Sequence, residues 1–325
     1  MKNKYHFFHY GKKVDVHTDS NFFQHLIDQK FSQFKADATY PLVAGECQIK
    51  WVTSSPPPLS DIVILSSMAQ RSSTTLRITH SYLTTTTTID FDFASSTSLT
   101  CTQITLYYQE SLLFTLAAFG FSFLRRQLFQ VLIKKYIEQS LLWLLVQEKK
   151  LICLHAAAVE KEGRVVVLAG LNGVGKSTLA SKYISNQSFS YFGDNYLLLD
   201  TKNAYYSPDV VRLDQQSLTH LQLTSQTEYG FGKKVIAPLK KSPLHRAPVK
   251  AIAWTQRGSI GHKKRMSAQE FWQMLEHYQI LEGEAISAAP ISYWQPGFSS
   301  SSKYPSVPTY VLTLGPFGSQ ELPPL

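Results

Sequence analysis

The segment that most constrains the fold of this chain is a glycine-rich loop of eight residues. It reads Gly170-Leu-Asn-Gly-Val-Gly-Lys-Ser177 and matches G-x-x-x-x-G-K-[ST] at every position. An apolar run, RVVVLA, precedes the loop, and a helical pattern, STLASKYIS, overlaps its end. Glycines let backbone N–H groups turn toward a phosphate, and a helix N-terminus adds positive potential. The segment therefore predicts a strand, a phosphate-binding loop and a helix in direct succession.

The residue types in this loop predict a site for ATP and Mg²⁺. We expect Lys176 to pair with the β- and γ-phosphates and the hydroxyl of Ser177 to ligate the metal. A chance match in a chain of this length is roughly a 1% event, so the pattern strongly favours nucleotide binding. The other positions expected to contact the nucleotide are Gly170, Asn172, Gly173, Val174, Gly175 and Thr178.

The residues after the loop exclude two large classes of nucleotide-binding protein. ABC-type ATPases share a similar loop, but they also need an LSGGQ-like segment and a long apolar strand ending in Asp-Glu. Neither occurs between Leu179 and Leu325. Small GTPases recognise guanine through N-K-x-D, which is also absent. The loop therefore belongs to another kind of nucleotide-binding protein.

The composition is that of a folded protein, because 44% of the residues are hydrophobic and only 17% are charged. The longest apolar run, 112–124, is too short to span a bilayer, and the first residues lack the apolar core of a signal peptide. Three scattered cysteines, Cys47, Cys101 and Cys153, lack metal-ligand spacing. We expect a cytoplasmic protein with reduced thiols and no transmembrane segment.

The net charge of +9 leaves three kinds of anionic partner open: nucleic acid, an acidic protein, or the phosphates of a nucleotide. Lysine and arginine occur in short doublets and form no long basic block. Neither a zinc-finger nor an RNA-recognition signature accompanies them. The sequence therefore does not favour nucleic acid.

The pattern along the chain predicts three parts. Residues 1–110 are expected to form an α+β domain, with a helix at 20–34, a proline-rich loop at 54–61 and strands over 72–109. The threonine run at 84–88 is expected on the exposed face of a sheet. Apolar residues then recur at three- and four-residue spacing, which predicts a helical connector over 111–150. Residues 151–325 hold the loop and form the third part.

Two residues outside the loop carry a resemblance to a known family. His155 lies 15 residues before Gly170, and Asp194 lies 18 residues after Lys176. The run HAAAV, a Glu-Gly turn, VVVLAGLNGVGKSTLA and FGDNYLLLD together resemble the catalytic domain of HPr kinase/phosphorylase, in particular the shorter HPr-kinase-related kinases. The resemblance covers about residues 150–315 and is most specific over 154–200. It implies an α/β fold, with a P-loop kinase domain of the HPr kinase/PEP carboxykinase-like type after a smaller α+β domain and a helical connector.

The resemblance also implies roles for particular residues. Asp194 matches the family aspartate that acts as general base on the acceptor hydroxyl and lies near the metal, so Ser177 and Asp194 are the expected metal ligands. His155 matches the histidine beside the transferring phosphate, and Lys176 completes the catalytic set. Asn195 stands where the family has a second Asp. The segment that forms the acceptor site of true HPr kinases is not recognisable, so HPr itself is not the expected acceptor.

The expected function is therefore transfer of the γ-phosphate of ATP to a hydroxyl, with a serine of a peptide or protein, such as a biosynthetic precursor peptide, as the favoured acceptor. A small metabolite or sugar is the next candidate. A non-catalytic nucleotide-binding module that regulates a partner is the alternative from another class. Residues 1–110 are expected to choose the acceptor, and homo-oligomerisation is left open. Four further basic residues are candidates for the phosphate or acceptor side: Lys233, Lys234, Arg246 and Arg257.

Overall fold

A computed structural model describes the chain in two compact units. Described residues up to 142 belong to the first unit, and those from 151 onward belong to the second. The described residues are 3–9, 12–18, 20–31, 46–52, 54–66, 68–82, 85–95, 101–109, 133, 137, 141–142, 151–186, 189–207, 211–223, 228–229, 234–236, 239–278 and 305–315. The connector predicted at 111–150 lies almost wholly outside them.

The first unit is built on an eight-stranded mixed sheet with the order β1-β2-β3-β8-β7-β6-β5-β4. Its strands are β1 (Asn3–His9), β2 (Lys12–Thr18), β3 (Glu46–Val52), β4 (Val63–Ile64), β5 (Ala69–Arg71), β6 (Thr75–Tyr82), β7 (Thr85–Phe93) and β8 (Cys101–Gln109). The helix expected at 20–34 is α1 (Asn21–Phe31), between β2 and β3. These two strands pair in parallel, as a crossover through a helix allows.

Aromatic side chains form the centre of the first core. Phe23 of α1 stacks on Trp51 with ring centroids 4.3 Å apart, and Trp51 contacts Tyr108 at 5.0 Å. The threonine run does not lie wholly on an exposed face, because Thr87 and Thr88 are both buried. That expectation was therefore wrong for these two residues. β7 has neighbours on both sides in the sheet, so its side chains are covered more than those of an edge strand.

A buried ion pair occupies the polar face of this sheet. The Arg77 guanidinium donates from Nε and Nη2 to the two carboxylate oxygens of Asp90, at 2.7 and 2.6 Å. Its Nη1 donates to the carbonyl oxygen of Pro57 at 2.7 Å. The hydrogen bond to Asp90 raises the pKa of Arg77, whereas burial raises the pKa of Asp90 against the opposing effect of Arg77. The proline-rich loop is thus tied to the sheet by a charge-assisted contact.

The second unit contains a sheet with the order β10-β9-β12-β13-β17-β19-β18, and β11 pairs with β9. Its strands are β9 (Ile152–Lys161), β10 (Arg164–Ala169), β11 (Ser190–Gly193), β12 (Tyr196–Leu199), β13 (Asn203–Tyr205), β17 (Arg246–Arg257), β18 (His262–Met266) and β19 (Thr309–Leu314). A separate small sheet consists of β14 (Arg212–Leu213), β15 (Glu228–Tyr229) and β16 (Lys234–Ile236). The helices are α2 (Lys176–Asn186), α3 (Gln215–Leu221) and α4 (Ala268–Tyr278).

Two buried clusters lie on this second sheet, one with each longer helix. Leu179 and Tyr183 of α2 pack in one cluster with Val166 and Leu168 of β10. Phe271, Trp272 and Leu275 of α4 pack in the other cluster, which includes Val165 and Val167 of the same strand. Because alternate residues of a strand point to opposite faces, α2 and α4 cover opposite faces of the sheet.

The predicted α/β class, with a P-loop kinase domain of the HPr kinase/PEP carboxykinase-like type, is wrong for the described residues. The described chain is mostly β-structure, with two large mixed sheets and few helices. The physical reason is visible after α2, where an α/β pattern would alternate helices and parallel strands. The chain instead forms short antiparallel strands, such as the β12–β13 hairpin around Asp200. The Asp200 carboxylate accepts hydrogen bonds from the backbone N–H groups of Lys202 and Asn203, both at 2.7 Å, and these stabilise the turn.

No helix among the described residues is long and apolar enough to cross a membrane.

Candidate functional site

The phosphate loop occupies the connection between β10, which ends at Ala169, and α2, which begins at Lys176. This succession is the one predicted from the sequence. Gly170, Gly173 and Gly175 have φ angles of 150°, 78° and 105°, which residues with a Cβ rarely adopt. A Cβ on Gly170 would also lie 2.5 Å from the backbone oxygen of Thr255. The first glycine is therefore required for conformation and for space.

We expect Gly170→Ala to weaken ATP binding by about 5- to 150-fold, because relieving the clash with a backbone atom must displace the start of the loop. Gly163→Ala is the matched control. Gly163 has a similarly unusual φ of 75°, but nothing lies within 4 Å of its added Cβ. Both variants are titrated with ATP and Mg²⁺ by calorimetry, and equal affinities would contradict the assigned packing role.

The loop is supported by two strands that lie far away in the sequence. Thr255 of β17 donates from its hydroxyl to the carbonyl oxygen of Ala169 at 2.7 Å. Leu314 of β19 lies 3.4 Å from the position that a Cβ on Gly175 would take. Strands β10, β17 and β19 are parallel neighbours, so their carboxyl ends meet at one edge of the sheet. Sequence reasoning missed Thr255 and Leu314; a polar residue near the carboxyl end of an apolar strand was the available signal.

Lys176 is buried at the first position of α2. Its Nζ donates to the carbonyl oxygens of Gly170 and Leu171, both at 2.8 Å. The ammonium group is thereby held across the loop, where its positive charge can act on a phosphate bound by the loop N–H groups. Burial in the protein makes this charge more effective than a solvated one.

Ser177 and Asp194, the two expected metal ligands, are in direct contact. The Ser177 hydroxyl lies 2.9 and 3.0 Å from the two carboxylate oxygens of Asp194, and Asp194 is only 4% exposed. Hydroxyl and carboxylate oxygens are the hard donors that Mg²⁺ prefers. No group of three or more His, Cys, Asp or Glu side chains suited to a metal was found among the described residues. The donor set nevertheless fits Mg²⁺, which commonly takes one or two protein ligands together with substrate phosphates and water.

The turn between β11 and β12 holds Asp194 in place. Asn195 has a φ of 67°, a left-handed conformation that Asn tolerates better than most residues. The Tyr196 N–H donates to the carbonyl oxygen of Asp194 at 3.0 Å, and the Ala156 N–H donates to that of Asn195 at 3.2 Å. Asp194 therefore belongs to a backbone-bonded turn and is also hydrogen-bonded through its carboxylate.

His155 lies on β9, directly opposite Tyr196 of β12. Tyr196 follows Asp194 by two residues in the chain, so His155 lies opposite the residue at which β12 leaves the Asp194 turn. Its chain neighbours Leu154 and Ala156 belong to the core cluster on the α4 side, so alternation puts His155 on the face covered by α2. The half-buried imidazole thus lies on the same side of the sheet as the helix that begins at Lys176.

The four further basic candidates do not all lie at the loop. Arg257, at the end of β17, donates from Nη2 to the carbonyl oxygen of Gly173 at 3.0 Å. Arg246 lies at the opposite end of this twelve-residue strand, paired with Tyr205. Lys234 begins β16 of the small sheet, and Lys233 lies outside the described residues. Arg257 is therefore the one of these four that the described structure places against the loop.

The remaining loop residues that were predicted to contact the nucleotide differ in their neighbours and in their exposure. The hydroxyl of Thr178 lies 3.0 Å from that of Ser217 in α3, which joins the two helices. The Val174 side chain lies 3.3 Å from the position that a Cβ on Gly170 would take, so it packs within the loop itself. Asn172 is exposed and accessible to a ligand. Thr178 thus has a structural partner in addition to its predicted contact with the nucleotide.

Comparisons with known proteins do not assign this chain to a family. No protein-family model matches the chain, and no curated protein matches it. The resemblance to HPr-kinase-related kinases therefore stays a prediction. The chemistry that the site can perform is set by the contacts around Lys176, Ser177, Asp194 and Arg257.

Proposed function

We propose that this chain transfers the γ-phosphate of ATP to a hydroxyl group, with a serine of a peptide or protein as the favoured acceptor. The observation that carries the proposal is the contact of Ser177 with the buried carboxylate of Asp194, at 2.9 and 3.0 Å. A loop that only binds phosphate requires its backbone N–H groups and a lysine. A buried carboxylate held at the first turn of α2 adds a group that can accept a proton.

The cationic residues would position the triphosphate and neutralise its charge. The loop N–H groups and Lys176 would bind the β- and γ-phosphates. Arg257, already against the loop at Gly173, would bring a second positive charge to the loop. Phosphoryl transfer depends mainly on such positioning and charge stabilisation.

The oxygen ligands would serve the metal and the acceptor. Ser177 and Asp194 would hold Mg²⁺, which when bound neutralises charge on the phosphates. The Asp194 carboxylate would orient the acceptor hydroxyl and take its proton as the new oxygen–phosphorus bond forms, while the bond between the γ-phosphorus and the β,γ-bridging oxygen breaks and ADP leaves. His155, on the same side of the sheet, would stabilise the transferring group. These roles match those that the family resemblance implies.

A regulatory nucleotide-binding module is the second candidate, and Asn195 is the residue that favours it. An amide at this position brings no charge, and its backbone forms the turn. The deciding experiment supplies γ-labelled ATP with serine peptides, sugars and water as competing acceptors. Label in a serine peptide supports the proposal, whereas label only in inorganic phosphate contradicts it.

Nucleotide binding is expected to depend on Lys176. Lys176→Ala removes a charge-assisted contact worth on the order of 2–3 kcal/mol, so the Kd for ATP·Mg²⁺ should rise by about 30- to 150-fold. Lys182→Ala, on the same helix, is the control and should bind as the wild type does. Calorimetric titration measures both variants, and an unchanged Kd for Lys176→Ala would overturn the loop assignment.

A further inference from the structure

Arg257 ends β17 directly beside the phosphate loop. In the pairing of β10 with β17, Ala169 lies beside Trp254, so Arg257 lies three residues beyond the end of β10. Ala253 belongs to the buried cluster on the α2 side of the sheet. Because residues of a strand alternate between its faces, Arg257, four positions after Ala253, has its side chain on that same side. The strand thus brings the guanidinium to the face on which α2 begins.

The backbone at Arg257 is held in the sheet, whereas its side chain is exposed. Arg257 pairs with Leu314 of β19, and the next N–H, that of Gly258, donates to the Leu314 carbonyl oxygen at 3.0 Å. The Arg257 side chain donates from Nη2 to the Gly173 carbonyl oxygen, also at 3.0 Å. Water competes for both groups of such an exposed hydrogen bond, so another acceptor readily replaces the carbonyl. The guanidinium can therefore turn to a phosphate while the strand stays in place.

The charges around the loop call for a further cation during phosphoryl transfer. Lys176 is buried and supplies one positive charge. Asp194 places a carboxylate against Ser177, and this negative charge lies beside the expected metal. In the transition state, charge spreads over the three equatorial oxygens of the transferring group, and positively charged groups stabilise it. Arg257 already contacts the loop and supplies that charge.

We propose that Arg257 is a catalytic residue, which leaves the Gly173 carbonyl and binds the γ-phosphate while that group is transferred. The proposal rests on the proposed kinase function and deepens it, because it assigns to Arg257 a contact with the transferring group itself. A planar guanidinium donates two parallel N–H bonds to phosphate oxygens. Arg257 exchanges no proton in the step, since it stays protonated. The γ-phosphorus gains the acceptor oxygen and loses the β,γ-bridging oxygen, and ADP leaves.

The first test compares a ground-state ligand with a mimic of the transition state. Calorimetry on the full chain gives the Kd for ADP·Mg²⁺, for ATP·Mg²⁺, and for ADP·Mg²⁺ with aluminium fluoride, which takes the place of the transferring phosphoryl group. Arg257→Ala should weaken binding of the fluoride complex by at least about 10²-fold, and that of ADP by less than about fivefold. Equal weakening of all three ligands would overturn the proposal, because Arg257 would then only brace the loop through Gly173.

Two further variants separate a direct contact from a brace and from net charge. Arg257→Lys keeps the charge and a donor for the Gly173 carbonyl, so a brace would survive this change. Transfer should still fall by at least about tenfold, because an ammonium group cannot donate two parallel bonds. Arg265→Ala removes an exposed arginine of β18, which pairs with Tyr310 at the other end of β19, and should match the wild type. A wild-type rate in Arg257→Lys, or an equal loss in Arg265→Ala, would overturn the proposal.

Single turnover of γ-labelled ATP at saturation separates this proposal from the kinase function. Label is followed into a serine peptide and into inorganic phosphate. Arg257→Ala should slow the formation of either product by at least about 10²-fold, and an unchanged rate would overturn the catalytic role alone. Label that enters only inorganic phosphate, at a rate that still depends on Arg257, would overturn the kinase function alone. A wild-type chain that consumes no ATP would overturn both.

Discussion

Asp194→Asn is expected to lower phosphate transfer by about 10²- to 10⁴-fold, the usual contribution of a general base. The amide keeps the shape of the side chain and one oxygen for the Ser177 hydroxyl, which lies 2.9 Å from Asp194 Oδ1. It loses the charge and the ability to take a proton. ATP affinity should change far less, because the loop N–H groups and Lys176 remain in place.

The measurement is single-turnover transfer from γ-labelled ATP to a serine peptide, with ATP binding measured in parallel. Asn195→Asp is the companion variant, since Asp also tolerates the left-handed backbone at φ 67°. It should raise metal affinity without rescuing Asp194→Asn. Transfer at the wild-type rate by Asp194→Asn would leave Asp194 with a structural role only.

The elements around the loop could be predicted because their signals are local. The glycines, Lys176 and the apolar run before them lie within a dozen residues, and β10, the loop and α2 succeed one another as expected. Asp194 was identified through a family resemblance, and the structure places its carboxylate against Ser177. Thr255 and Leu314 were not identified, because their contacts with the loop depend on parallel strand pairing far along the chain.

The fold class could not be predicted for a related reason. The register that sets Val166 of β10 beside Ala251 of β17 joins segments 85 residues apart. In the first unit, β3 pairs in parallel with β8, so that Ile49 lies beside Ile104. A local pattern shows that a segment is a strand, but it does not show which strand lies beside it. The α/β class that the family resemblance implied is therefore not followed by the short antiparallel strands after α2.

The second prediction with a large expected effect concerns the buried ion pair of the first unit, Arg77 with Asp90. Arg77→Ala leaves the Asp90 carboxylate buried without its bidentate partner, and breaking such a pair costs about 3–5 kcal/mol of unfolding free energy. The Pro57 carbonyl also loses its donor. Hydrogen exchange of peptides from β6 and β7 measures the loss within this unit.

The double variant Arg77→Met/Asp90→Leu separates the net contribution of the ion pair to the unfolding free energy from the cost of removing one partner alone. Replacing both charges with apolar groups of similar volume should return stability to near the wild-type value, because no buried charge is left unpaired.

The stability of the single variant Arg77→Ala should also recover as the pH is lowered. Burial raises the pKa of Asp90, so the folded state binds this proton more readily than the unfolded chain and gains stability as the pH falls through the folded pKa. At neutral pH, Arg77→Ala could lose less than about 1 kcal/mol of unfolding free energy, which is the range of a solvated surface pair. That result would contradict the assignment of Arg77 and Asp90 as a buried structural pair.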